Sequence, residues 1–78
     1  MQDKFKVGQV WEDGLGDRFY IVRIDPEGLG VCGETIEAEE VINGRHDTEI
    51  FYHYYSDGRY MRNNNITCYD LVHLITDR

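Results

Sequence analysis

Cys32, Cys68 and the histidines His46, His53 and His73 are the side chains from which a nucleophile or a metal site would first be sought. A nucleophile needs a histidine within hydrogen-bond reach and a third group that orients it. Neither cysteine sits in a nucleophile elbow or beside a glycine run able to form an oxyanion hole, so both read as inert, buried small hydrophobes. His46, Asp47 and Glu49, or His53 and His73 with a cysteine, lack the close paired spacing of structural zinc ligands. Gly28-Leu29-Gly30 with Gly33 has neither the lysine nor the helix that a phosphate loop requires, and turn geometry explains it better. Glu34, Glu37, Glu39 and Glu40 are numerous enough for acid–base chemistry, but such a stretch reads as a solvated acidic surface. No catalytic residue, metal or cofactor is expected, and the chain reads as non-enzymatic.

What stands out instead is physical chemistry of binding. In Glu49-Ile50-Phe51-Tyr52-His53-Tyr54-Tyr55, successive side chains of a strand point to opposite faces. Ile50, Tyr52 and Tyr54 then make one row and Phe51, His53 and Tyr55 the other. Burying the first row leaves the second outside, and exposed aromatic clusters mark interfaces. Arg59 and Arg62, just beyond, would supply cations for a nucleotide phosphate. The candidate binding residues are therefore Phe51, His53, Tyr55, Arg59 and Arg62, and the candidate acidic surface is Glu34, Glu37, Glu39 and Glu40.

The elements that must hold these residues are short. Val7 to Trp11 reads as a strand that stops at Asp13-Gly14-Leu15-Gly16-Asp17. Arg18 to Ile24 reads as a second strand, apolar at both parities and so expected to be covered on both faces. Asp25-Pro26-Glu27-Gly28 is a turn, after which the chain reverses into Leu29 to Gly33. The stretch 34–47 fits either a helical turn over Thr35 to Val41 or a hairpin closing at Asn43-Gly44, with the hairpin preferred. Thr48 to Tyr55 is the clearest strand; Ser56-Asp57-Gly58-Arg59 turns it into a short partner at Tyr60-Met61-Arg62. Tyr69 to Ile75 fits a helical turn or a closing strand. Five or six such strands make an all-β chain, with a small SH3-like barrel the expected architecture because closure removes exposed edges.

A chain of 78 residues closes a single core, so one domain over residues 1–78 is expected. Its net charge of −7 argues against sequence-independent binding to duplex nucleic acid and favours basic partners. No stretch is apolar or long enough to span a bilayer, and the first residues lack the apolar block of an export signal, which together predict a cytoplasmic protein.

Lys6-Val7-Gly8-Gln9-Val10-Trp11, Ser56-Asp57-Gly58-Arg59-Tyr60 and Tyr69-Asp70-Leu71-Val72 together resemble a group of small, uncharacterised β-rich proteins encoded by phages and prophages. The likeness spans most of the chain, and its middle, with the acidic stretch and Asn43-Gly44, is longer than that pattern. The resemblance implies a phage origin, the cytoplasm of a host cell and a β-rich fold, and it supplies no catalytic residues. With the aromatic row it suggests a phage-type binding protein that engages a host or defence-system protein, an anti-defence role included. Two other readings remain: an oligomeric sponge that sequesters a nucleotide on Tyr52 to Tyr55 and Arg59 or Arg62, and an acidic mimic of nucleic acid carried by Glu34 to Glu49. A second copy of the chain is a further partner for the row.

Overall fold

The β-branched and aromatic runs between the glycine turns do form strands. The computed structural model describes residues 4–28, 33–61 and 67–76. They comprise β1 (Val10–Asp13), β2 (Arg18–Asp25), β3 (Thr35–Ile42), β4 (Arg45–Tyr55) and β5 (Leu71–Thr76), with one 3-10 turn at Thr67–Tyr69 leading into β5. All five strands belong to one antiparallel sheet in the order β4-β3-β2-β1-β5. No helix among the described residues is long and apolar enough to cross a membrane.

The protein is all-β, but the sheet is not closed into the expected barrel. β4 and β5 stand at opposite ends of the order, and two residues between them in sequence, Tyr60 and Gly58, bond to β4 and β5 respectively. Tyr60 bridges Tyr54 of β4, and the Leu71 amide of β5 donates to the Gly58 carbonyl at 2.9 Å. The strand expected at Tyr60 to Arg62 shrinks to that bridge, and Arg62 lies outside the described residues.

Two bulges change which side chains face inward. In β2, Ile21 pairs with Ala38 but Arg23 pairs with Glu37, so Val22 is extra. The extra residue switches parity. Ile21 and Ile24 therefore both reach the core, and the strand that is apolar at both parities does not need two covered faces. In β4, His46 pairs with Val41 and Phe51 with Glu39, leaving a wide bulge over 47–50. Asp47 turns it by accepting the Glu49 amide at 3.1 Å. Two-residue alternation holds from Phe51 to Tyr55 but not from Thr48, and Ile50, expected inside, is 52 % exposed.

The remaining differences are local. β1 starts at Val10 rather than Val7 because Gly8, at φ +97°, makes a turn ahead of it. The stretch 34–47 is a hairpin, with Asn43 at φ +54° and Gly44 at φ +77°, the pair of positive values that a two-residue Asn-Gly turn takes. The last segment is both a 3-10 turn and a strand. Leu29 to Cys32 lie outside the described residues.

Phe5, Trp11, Phe19, Ile21 and Ile36 fill the core with Ala38, Tyr54 and Leu71. The Phe5 and Trp11 rings lie 4.3 Å apart. The indole cannot be buried with its N–H unpaired, and Gln9 Oε1 accepts it at 2.8 Å while also accepting the Lys6 amide at 2.8 Å. Gly58 ties this core to the β4–β5 connection. At φ +93°, it has no room for a side chain, since a Cβ there would lie 2.6 Å from Phe5 Cζ and 3.0 Å from the Leu71 carbonyl oxygen. Gly58→Ala is expected to cost about 1–3 kcal/mol through left-handed backbone strain, with the clash added, measurable as a lower urea midpoint at unchanged slope.

Candidate functional site

The inward row of β4 does not end in the core; it opens into a cleft. Tyr52 pairs with Ala38 and Tyr54 with Ile36, which turns both rings toward Phe19 of β2. Phe19 meets Tyr52 at 5.2 Å and Tyr54 at 5.9 Å, both edge to face. Tyr60 comes from the connection, placed by its bridge to Tyr54 and by its amide donating to Asp70 Oδ1 at 3.0 Å. Its ring lies 5.4 Å from Tyr54, 6.3 Å from Tyr52 and 5.8 Å from Tyr69 of the 3-10 turn. Gly14 lets that turn approach, because a Cβ there would sit 2.9 Å from the Cys68 backbone. These five rings wall a cavity of about 510 Å³.

Three carboxylates share the cavity: Asp13 at the end of β1, Asp17 in the following turn and Glu40 on β3. Asp13 is 4 % exposed. Its Oδ1 accepts the Leu15 and Asp17 amides, each at 3.0 Å, and so shapes the β1–β2 turn. Burial pushes its carboxyl above the ordinary carboxylate range, and the nearby Asp17 charge adds to this against the backbone donors. Glu40 is raised by burial first and then by Asp17, although the Tyr52 hydroxyl donates to its Oε1 at 3.5 Å. Burial also raises the hydroxyls of Tyr52 and Tyr54, the first helped by Glu40 and the second by Asp13. The cleft therefore holds negative charge against desolvation and mutual repulsion. None of its lining residues among those described is cationic.

The residues singled out from sequence lie mostly elsewhere. Phe51 is 45 % exposed on the opposite face, and His53 and Tyr55 are half-buried there. His53 Nε2 lies 3.5 Å from Glu37 Oε1. Arg59 sits over the Tyr55 ring, 5.1 Å from its centroid, and its Nε donates to Asp57 Oδ2 at 2.8 Å. Phe51 and His53 border a smaller hollow of about 300 Å³ that shares Tyr52 and Tyr60 with the cleft. The four glutamates do not form one acidic surface. Glu34 is exposed, Glu37 faces His53, and Glu40 faces the cleft. Glu39 is only 8 % exposed, paired with His46 Nδ1 at 3.3 Å beside Tyr20, whose ring stacks at 4.5 Å on that histidine. Strand pleating splits them: Glu37 and Glu39 share a face with His53 and Phe51, and Glu40 takes the other.

Cys68 is a free, half-buried thiol, and Cys32 lies outside the described residues. Among the described residues no three His, Cys, Asp or Glu side chains come together as a metal site. Sequence reasoning missed Asp13, Asp17, Tyr60 and Tyr69 as partners. Their signal was present as an Asp-Gly-x-Gly-Asp turn and a Tyr on each side of the 62–66 connection, but nothing in it said that they meet.

Fold and site together define a small antiparallel sheet with an acidic, aromatic-walled cleft. No protein-family model, no curated protein and no solved structure matches the chain.

The raised carboxyls predict a pH dependence of known sign. Asp13 and Glu40 hold protons more tightly folded than unfolded, so their contribution to stability is complete below the ordinary values of 3.8 and 4.5 and is lost as pH rises through the raised ones. Glu40→Gln removes its share. Urea unfolding of both proteins between about pH 7 and about pH 4.5, around the ordinary carboxylate range, should show the variant gaining less on acidification.

Proposed function

We propose that this chain is a non-enzymatic binding module that lodges a positively charged group of a basic partner in the cleft between β1, β3, β4 and the Tyr60 connection. The observation that carries this reading is the meeting of three carboxylates with five aromatic rings in one cavity. Ring faces attract cations, and the attraction grows when the cation is desolvated. A bound cation would offset the burial of charge, and the lesser mutual repulsion, that raise Asp13 and Glu40, which gives it a direct energetic reason to stay. The net charge of −7 steers such a partner toward the protein before contact.

The likeness to small phage and prophage proteins makes a host or defence-system protein the partner to look for. A nucleotide fits the geometry less well, since its phosphates would meet carboxylates in the cleft, while Arg59 is already held by Asp57. Mimicry of nucleic acid loses support from the separation of Glu37 and Glu39, each beside a histidine, from Glu40.

The test is calorimetric titration with a peptide of mixed lysine and arginine, against a glutamate peptide as control. Binding should weaken with salt, and Asp17→Asn with Glu40→Gln should weaken it about tenfold or more. Loss of binding on Phe51→Ala, with the double variant unaffected, would move the site to the outer face.

A further inference from the structure

We infer that the cleft selects an alkylguanidinium group, as carried by an arginine side chain or a free arginine-like amine, over an ammonium of either the primary or the quaternary kind. This rests on the reading of the cleft as a cation site and names its ligand.

The floor of the cavity supplies the argument. Asp13 is 4 % exposed; its Oδ1 accepts the Leu15 and Asp17 amides, and the Gly16 amide is a third backbone donor to the carboxyl. No side chain among the described residues donates to that carboxyl. Tyr54 is 1 % exposed, the most buried of the aromatic residues, and its hydroxyl has no partner among the described residues. Among the described residues no buried side-chain nitrogen or oxygen is both unpartnered and sealed from solvent. Both residues line the cavity. A buried carboxyl with no side-chain donor and a buried hydroxyl with no partner among the described residues thus stand inside aromatic walls, where a ligand with N–H groups would pair with them.

Three kinds of organic cation can be compared on that floor. A quaternary ammonium suits the rings but carries no N–H, so it would cover the Asp13 carboxyl and the Tyr54 hydroxyl without pairing either, and a buried polar group left so is costly. A primary ammonium has donors but is a compact, strongly hydrated charge that must shed water to enter. A guanidinium is flat, more weakly hydrated and carries its donors in one plane, so it can lie on a ring face while its edge points at acceptors. The walls allow that pose: Tyr60 is inclined 52° to Tyr54, and Phe19 68° to both Tyr52 and Tyr54. Glu40 and Asp17 stand at the same cavity for the remaining N–H groups. The volume of about 510 Å³ lies in the range of pockets that take whole small ligands, so a free alkylguanidine fits as well as a side chain.

The experiment is amide NMR titration of the full chain with ethylguanidinium, ethylammonium and tetramethylammonium chlorides at matched ionic strength. Gly-Arg-Gly and Gly-Lys-Gly form a second pair. Ethylguanidinium should bind about tenfold tighter than either ammonium, in keeping with a site that rejects ligands unable to pair its polar groups. Its shifts should centre on Asp13, Tyr54 and Tyr60. Two variants isolate the floor. Asp13→Asn keeps an oxygen for the Leu15 and Asp17 amides but loses the charge, and Tyr54→Phe loses only the hydroxyl; each should reduce the guanidinium preference several-fold, with thermal unfolding confirming that the variants remain folded. Equal binding of all three cations, or tighter binding of tetramethylammonium, overturns the guanidinium assignment and leaves the cation site standing. No binding by any probe or by the mixed peptide of the preceding test overturns both. Ethylguanidinium binding as tightly as Gly-Arg-Gly supports a free small ligand, and much tighter binding of the tripeptide supports an arginine of a partner chain.

Discussion

Tyr54 has to satisfy two structures at once. Its backbone pairs with Ile36 on one side and bridges Tyr60 on the other, while its ring is buried against Phe19. The ladder holds the ring in place, and the ring holds the β4–β5 connection against the sheet. Truncating it would leave a large void in a core of few side chains, and it would also remove the surface on which Tyr60 rests. The cleft is in this sense an extension of the core, built from the same residues that stabilise the fold.

That arrangement explains why the cleft can hold charge without collapsing. Aromatic rings bury much area with few rotatable bonds, so a small domain can form rigid walls with them. Asp13 belongs to the same economy, because its Oδ1 shapes the β1–β2 turn while its carboxyl lines the cleft. Burial of its charge works against stability, and the backbone donors offset part of that cost. Glu40 has a weaker tether, one long hydrogen bond from Tyr52. Buried carboxylates that destabilise the free protein in this way are what the tension between stability and function produces at a site kept for a ligand, as proposed for this cleft.

The two faces of the sheet differ in how their polar groups are used. On the outer face Glu37 and Glu39 each have a histidine beside them, and Arg59 has Asp57 and Tyr55. Inside the cleft, acids stand near acids. What the outer face leaves most open is apolar, the exposed Ile50 and Phe51. Charge left unmatched inside aromatic walls is what a cation can complete.

Period-two patterning and turn chemistry carried most of the fold: the five strands, the Asn43-Gly44 hairpin and the exposure of Phe51 follow from local stereochemistry, which acts within a few residues. The sequence alone determined an acidic, aromatic-rich, all-β chain and its turns. The bulges at Val22 and 47–50, the open sheet and the cleft were decided only by the tertiary structure. A bulge depends on how two strands match in register, and whether an edge closes depends on what the connecting segment bonds to. Asp13, Glu40, Tyr54 and Tyr60 come from different parts of the chain, and only the three-dimensional fold sets one beside another.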